Sequence, residues 1–209
     1  MRTVVGGGGR LALQAALEHA LAQGARAVMS FGIAGGLAAD LACGTWLIAR
    51  AIVTATGSWP CAAAWTHNLA ARLPGARTVD LAAVDAPLAD PAAKRALHEA
   101  TGAAAVDTES HIAAAIAAAH GLPFVAFRVV ADSALRTLPP AALVAIAPGG
   151  RIRGGAVLGS LARTPAQVPV LLRIALDTRI AVRALSRGRR LLGHGLAYPD
   201  GGELLLDVS

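Results

Sequence analysis

The sequence is short of cysteine and of aromatic residues, and each shortage excludes a class of protein. Two cysteines, Cys43 and Cys61, among 209 residues provide neither a disulfide framework nor a CxxC metal or redox pair. Aromatic residues make up 3% of the chain, and none lies among the C-terminal arginines, where a nucleic-acid-binding protein would interleave them for base stacking. We therefore expect a cytoplasmic protein with two inert, buried thiols, no metal site and no nucleic-acid partner.

Long apolar runs and high charge are also missing. No apolar run approaches the roughly 18 residues that a membrane-spanning helix requires, although 55% of the residues are hydrophobic. Charged residues make up 15%, against about 25% in a typical soluble protein. A chain this apolar is not disordered, and at this length we expect it to fold around a sizeable core.

Basic residues are concentrated towards the C-terminal end. The net charge is +6, but residues 1–150 contain ten basic and nine acidic side chains, whereas 151–209 contain nine arginines and four acids. Four arginines form one stripe of the helical pattern at 166–192, beside apolar residues: Arg179, Arg183, Arg187 and Arg190. Such a helix either lies on anionic lipid headgroups or presents an ordinary solvated face, and the sequence leaves both open.

Strand-like and helix-like apolar patterns alternate along the first 150 residues. Strands are predicted at 2–5, 27–32, 45–53, 103–106 and 124–130, and helices at 11–21, 65–73, 91–101 and 111–120. Such alternation implies a largely parallel sheet covered on both sides. We therefore predict a three-layer α/β sandwich over 1–150, with a central, mostly parallel or mixed sheet. Arginine-rich C-terminal helices and a tail are expected over 151–209.

Two glycine-rich segments and three acids follow the predicted strands. Turns are predicted at Gly6–Gly9 after the first strand and at Gly32–Gly36 after the second, and Asp107 and Glu109 follow the fourth strand and Asp132 the fifth. Ligands of open α/β sheets bind at the carboxyl ends of the strands, where these residues would converge. Glycine runs also serve as plain turns, and an acid after a strand often caps the next helix, a role that suits Asp107.

Three segments resemble the signatures of one enzyme superfamily. SFGIAGGL (30–37), AVDTES (105–110) and RVVADSA (128–134) look like the three signature segments of the nucleoside phosphorylases and nucleosidases, in the same order. The stretch VDTESHIAAAIAAAHGLPFVAFRVVADSALRTLPPAAL, with the arginine-rich helices after it, resembles the hopanoid-associated phosphorylases, which act on adenosylhopane. The resemblance covers essentially the whole chain and implies a nucleoside-phosphorylase-like fold and a homo-oligomer.

The resemblance implies distinct roles for two acids. Asp132 matches the general acid that gives a proton to N7 of the departing purine, and a desolvated pocket would keep its carboxyl partly protonated. Glu109 matches the glutamate that accepts hydrogen bonds from the ribose 2′ and 3′ hydroxyls, and its charge would favour a cationic sugar. No cofactor is implied, although phosphorolysis would require inorganic phosphate as a co-substrate.

The same resemblance implies further residues that would contact the substrate or phosphate. The substrate-binding candidates are Thr108, Ile33, Ala34, Gly35, Pro87 and Leu88, and weaker phosphate candidates are Gly7, Gly9 and Arg10. Relatives often have methionine where Thr108 stands and serine where Ile33 stands, and an aliphatic side chain cannot donate to phosphate. Met1 falls where relatives have passed their first strand, so we expect that strand to be missing.

The leading hypothesis is release of adenine from adenosylhopane, giving ribosyl- or phosphoribosylhopane in hopanoid biosynthesis. Such an enzyme would work in the cytoplasm, with its arginine stripe on the inner face of the membrane. One alternative is a purine nucleoside phosphorylase, or a methylthioadenosine or adenosylhomocysteine nucleosidase, that acts on a soluble nucleoside. Another is a non-catalytic, membrane-peripheral binder of nucleoside or lipid.

Overall fold

Strands and helices alternate through the parts of the chain that the computed structural model describes, which are residues 2–5, 9–139, 168–199 and 204–208. The strands are β1 (Arg2–Val5), β2 (Ala27–Gly36), β3 (Trp46–Val53), β4 (Ser58–Pro60), β5 (Arg77–Ala83), β6 (Ala105–Asp107), β7 (Phe124–Asp132) and β8 (Leu204–Val208). The helices are α1 (Arg10–Ala22), α2 (Ala63–Arg72), α3 (Pro91–Thr101), α4 (Ser110–Ala119) and α5 (Val168–Leu192).

The strand β2 lies at the centre of a mixed sheet. One edge of β2 pairs in parallel with β7, and its other edge pairs in parallel with β8 and, at Gly35 and Gly36, antiparallel with β6. β7 also pairs antiparallel with β3, β3 pairs in parallel with β5, and β5 in parallel with β6. These five strands therefore close into a ring, which β1, β8 and β4 extend.

Helices cover both faces of this sheet. The strand β2 explains why, because its alternate residues enter two different cores: Val28 and Ala34 belong to one, and Met29 and Phe31 to the other. The first core is closed by α1 and α4, and the second by α2 and α5. The prediction of a three-layer α/β fold is confirmed.

The structure corrects the sequence reading at one glycine-rich segment and adds three strands. The prediction of a turn at Gly32–Gly36 is wrong, since β2 continues to Gly36 and the last glycines pair with β6 and β7. The sequence patterns predict no strand where β4, β5 and β8 lie.

The expected domain boundary at Gly150 falls outside the described residues. Among the described residues, no helix is long and apolar enough to span a bilayer.

A close contact between α5 and β7 yields a stability prediction. A Cβ on Gly188 would lie 2.8 Å from Cζ of Phe127, a fully buried ring that stacks on Phe31. Alanine is favoured over glycine within a helix by roughly 0.5–1 kcal/mol, whereas overpacking a core costs about 1–3 kcal/mol. We expect Gly188→Ala to lower the free energy of unfolding by about 1–2 kcal/mol in a urea titration. The exposed Ser186→Ala is the matched control, and a Gly188→Ala protein as stable as that control would contradict this packing.

Candidate active site

The ends of β6 and β7 lie on either side of Gly35. Gly35 pairs with Val106 of β6 along one edge and with Asp132 of β7 along the other. A Cβ at this position would lie 3.3 Å from Oδ1 of Asp132 and 3.6 Å from Cγ1 of Val106. The absence of a side chain therefore lets the Asp132 carboxylate lie over the end of β2.

A buried ion pair joins the strands that carry the acids. Arg128 of β7 has no exposed surface, and its Nε donates to Oδ2 of Asp107 at 2.8 Å. Its Nη2 donates to the hydroxyls of Ser30 in β2 (2.7 Å) and Ser110 in α4 (2.9 Å). Its Nη1 donates to the carbonyl oxygen of Phe127 at 3.2 Å. One guanidinium thereby ties two strands and a helix to the end of β6.

Asp107 caps α4, and both of its carboxylate oxygens accept hydrogen bonds from other groups of the protein. Its Oδ1 accepts from the backbone N–H of Glu109 (3.0 Å) and of Ser110 (2.8 Å), and its Oδ2 accepts from the Ser110 hydroxyl and from Arg128. Burial opposes ionisation of this carboxyl, but Arg128 and the hydrogen bonds outweigh burial and lower the pKa of Asp107. Asp107 thus has the structural role of a helix cap, and the cap places Glu109 at the start of α4.

Asp132 is held differently. Its side chain is 17% exposed, and Oδ2 contacts Nζ of Lys94, a residue of α3. Burial raises the pKa of Asp132 above its ordinary value, although Lys94 acts in the opposite direction. A cavity of about 550 Å³ lies between the segment 133–137 and the first turn of α5; its lining begins at Ser133, the residue after Asp132. A partly exposed carboxyl that resists ionisation is suited to donating a proton.

The segment 84–90, which joins β5 to α3, brings together residues from distant parts of the chain. Asp85 accepts from Nη1 of Arg10 at 3.1 Å, and Nε2 of His111 lies 3.2 Å from the same oxygen. Arg10, a phosphate candidate, therefore already pairs with a carboxylate in this structure. Of the two purine candidates, Pro87 is exposed and Leu88 packs on the small cluster between α3 and the sheet.

The remaining candidates occupy varied environments. Thr108 is half-buried, Ile33 packs against the core that contains Phe31, and Ala34 is buried in the opposite core. Since Ile33 and Ala34 point to opposite faces of β2, their side chains cannot both line one pocket. Gly9 has φ of 86° and precedes α1, whereas Gly7 lies outside the described residues.

The two thiols are expected to be buried, and the structure shows both to be half-buried. Burial raises the pKa of Cys61 to about 12 and also raises the pKa of Cys43. Since the thiolate is the nucleophile, neither cysteine is activated for chemistry.

Sequence reasoning misses two charged residues of the site, Lys94 and Arg128. Arg128 interrupts the apolar strand Phe124–Asp132, and a charge within such a strand requires a buried partner, which is Asp107. Lys94 stands next to Arg95 in a helix with ordinary surface composition, so the helical pattern does not mark it as a residue of the site. Its residue type could have marked it, because it is the single lysine among 19 basic residues.

Comparison with known proteins identifies the family of this chain and solved structures with a similar fold. Residues 4–145 match the sequence model of the Phosphorylase superfamily, and no curated protein sequence matches the chain. The native futalosine hydrolase of Helicobacter pylori superposes with a TM-score of 0.55 at 18% identity, over 59% of this chain and 65% of that one. The chain therefore spans just under two thirds of the length of that protein.

Two nucleosidases show the same fold over more of the chain. A 5′-methylthioadenosine/S-adenosylhomocysteine nucleosidase from H. pylori superposes with a TM-score of 0.57 at 15% identity, over 86% of this chain and 75% of that one. The Campylobacter jejuni enzyme of that name gives 0.55 at 16% identity, over 82% of this chain and 77% of that one. At these identities the likeness shows a shared fold, while function has to be argued from the site.

The buried ion pair yields a prediction for stability and its pH dependence. Arg128→Met leaves the Asp107 carboxylate buried without its cation, which typically costs about 3–5 kcal/mol. We expect that loss of unfolding free energy at pH 7, measured by urea titration. The wild-type stabilisation by Asp107, whose pKa is lowered, is present above the ordinary value of 3.8 and lost as pH falls through the lowered value. The variant's deficit should therefore shrink in acid.

The double variant Arg128→Met with Asp107→Asn is the matched control. Asparagine still caps the helix but carries no charge, so the double variant should recover part of the loss. An Arg128→Met protein within about 1 kcal/mol of the wild type at pH 7 would contradict the role of the ion pair.

Proposed function

Because the chain belongs to the phosphorylase superfamily, we propose that it breaks the N-glycosidic bond between a purine and a ribose. The observation that carries the proposal is the position of Asp132 at the end of β7, where its side chain is 17% exposed and burial raises the pKa of its carboxyl. Gly35 separates it from the end of β6, which leads directly to Glu109. The proposed reaction would use one of these carboxyl groups to protonate the purine and the other to bind the ribose.

The proposed chemistry follows from the leaving group. The C1′–N9 bond breaks with its electron pair going to the purine, N7 accepts a proton from Asp132, and C1′ takes an oxygen from water or phosphate. When water attacks, its proton passes to solvent. A carboxyl whose pKa burial raises is better suited to supply the proton than an exposed one, and the negative charge of Glu109 would stabilise the cationic sugar while binding its hydroxyls.

We propose an adenosylated lipid, adenosylhopane, as the substrate. Support comes from the sequence resemblance and from the surroundings of Asp132. The adjoining cavity is bounded by Leu135, whose side chain is among the most exposed apolar ones, and by Pro169 and Val170 of α5. This apolar boundary would accommodate a bulky, water-insoluble group attached to the ribose.

The exposed face of α5 supports a membrane surface as the second contact. Leu172, Leu176 and Ile180 are 62%, 58% and 49% exposed, and helical spacing places them on the same face as the four arginines of the stripe. Leu172 and Leu176 precede all four arginines, and Ile180 follows the first of them, so the N-terminal part of this face suits an acyl boundary and the C-terminal part suits anionic headgroups.

A soluble nucleoside is the second candidate substrate. It is favoured by the likeness to two enzymes whose names specify 5′-methylthioadenosine and S-adenosylhomocysteine. A panel of adenosine, 5′-methylthioadenosine, S-adenosylhomocysteine and detergent-solubilised adenosylhopane separates the candidates by adenine release. We expect adenosylhopane to give the highest kcat/KM. Preference for a soluble nucleoside would favour the second candidate, no release would favour a non-catalytic binder, and dependence on phosphate would identify phosphorolysis.

Substitution of the two acids tests the catalytic assignment. Asp132→Asn keeps the shape of the side chain but has no acid proton, so we expect kcat to fall by about 10²–10⁴-fold with nucleoside binding retained. Glu109→Gln weakens charge-assisted hydrogen bonds to ribose, so kcat should fall and KM rise, together about 10–100-fold in kcat/KM. Exposed Glu99→Gln and Asp40→Asn are the matched controls. Wild-type turnover by Asp132→Asn would remove Asp132 from the reaction.

Vesicle binding tests the membrane contact. Each arginine near an anionic surface contributes about 1 kcal/mol, so Arg183→Gln with Arg190→Gln should weaken sedimentation with phosphatidylglycerol vesicles about 30-fold. Arg26→Gln with Arg95→Gln removes the same charge from other exposed positions and should bind as the wild type does. Equal binding by both double variants would contradict a specific α5 contact.

A further inference from the structure

Lys94 stands out because the chain otherwise avoids lysine. All the other 18 basic residues are arginines, and this one side chain is only 1% exposed. An ammonium is a compact point charge with three donors, whereas a guanidinium is a wide planar group, so the two are not interchangeable in a closed site. The protein thus has its single lysine at a buried position.

Every donor of the Lys94 ammonium has an acceptor near Asp132. Nζ contacts Oδ2 of Asp132 and also donates to the carbonyl oxygens of Ser133 (3.0 Å) and Arg136 (3.4 Å). The three acceptors lie within five consecutive residues at and after the end of β7. Lys94 therefore fixes both the carboxylate and the segment that follows it.

The position of Lys94 near the N-terminus of α3 is electrostatically unfavourable for a lysine. The helix begins at Pro91 after an Asp90 cap, so Lys94 lies in or next to the first turn, where the helix dipole disfavours positive charge. An apolar side chain of similar size would fill this space without desolvating an ion. A residue that breaks local rules in a buried place is characteristic of a functional site.

We propose that Lys94 is a positioning residue for the acid: it holds Oδ2 of Asp132, leaves Oδ1 to face the purine, and stabilises the carboxylate that remains after the proton has gone. The proposal rests on the function proposed above, because it concerns the acid of that reaction. Oδ1 is the oxygen that would lie 3.3 Å from a Cβ at Gly35, so it points over the end of β2. In this proposal Lys94 acts through Asp132 and has no contact with the substrate.

The charges around Asp132 determine the direction of the effect. Burial raises the pKa of Asp132, Lys94 and Arg136 lower it, and Asp177 of α5 raises it. The Cys43 thiol is also close enough to be influenced by Asp132. Removing the Lys94 cation should raise the pKa of Asp132 further. A weaker acid stays protonated to higher pH but gives its proton to the leaving base less readily.

Lys94→Met tests the proposal, with the exposed neighbour Arg95→Met as a control that removes the same charge from the same helix. In adenine release from 5′-methylthioadenosine and adenosylhopane, we expect Lys94→Met to lower kcat by about 10–100-fold, as misplacement of a catalytic group does. KM should stay within about twofold, and the loss of kcat at alkaline pH should begin at a higher pH than in the wild type. Loss of a lysine with a merely structural role would not shift this alkaline limb of the pH profile of kcat.

A second measurement needs no turnover. In protein labelled with ¹³C at aspartate carboxyl carbons, the signal missing from Asp132→Asn identifies Asp132, and we expect it to titrate at higher pH in Lys94→Met than in wild type or Arg95→Met. Lys94→Gln keeps donors for the two carbonyls without the charge and should show the same shift, which covers a failure of Lys94→Met to fold.

The outcomes separate the two proposals. Folded Lys94 variants with the wild-type titration and the wild-type alkaline limb would overturn the role of Lys94. A wild-type protein that releases no adenine from any substrate would instead overturn the proposed function, and the carboxyl titration would still decide whether Lys94 controls the ionisation of Asp132.

Discussion

The ion pair between Arg128 and Asp107 is the constraint on which the rest of the structure depends. Its guanidinium is fully buried and reaches β2, β6 and the start of α4 from a position in β7. Arg128 lies four residues before Asp132 and Asp107 two before Glu109, so one contact fixes the separation of the two segments that carry the acids. A buried pair of this kind adds little net stability compared with apolar residues, but losing either partner is costly, which enforces a single arrangement.

Two aspartates at the same edge of the sheet have pKa values shifted in opposite directions. Asp107 has a cation and several donors, and its pKa is lowered despite burial, so it serves as a fixed negative support. Asp132 has Lys94 on one oxygen only, and burial raises its pKa, so it is suited to carry a proton. Environments that push the pKa values of two carboxyl groups apart in this way are typical of acid–base sites. Gly35 provides the space, since any side chain there would press against the Asp132 carboxylate.

Much of this architecture is readable from the sequence, and the exceptions have physical causes. The helix at Pro91–Thr101 matches its prediction because an aspartate cap, a proline and a C-terminal glycine mark both ends. The strand β5 escapes prediction because its seven residues mix polar and small apolar side chains, and its stability comes from pairing with β3 and β6. Gly32–Gly36 resembles a turn, yet neighbours on both edges hold it as strand. The position of Asp132 after a strand is evident from the sequence, whereas its partner Lys94 is not, because contact between α3 and the end of β7 is a tertiary property.

A crystal structure of the Asp132→Asn variant with 5′-methylthioadenosine bound tests the proposed site most directly, since the missing acid proton should preserve the substrate. We expect the amide side chain at position 132 to lie within hydrogen-bond distance of purine N7, with Glu109 across the ribose hydroxyls and Lys94 on the side of that amide away from the base. A nucleoside bound elsewhere, or one with Glu109 and the substituted side chain facing different regions, would contradict the shared site.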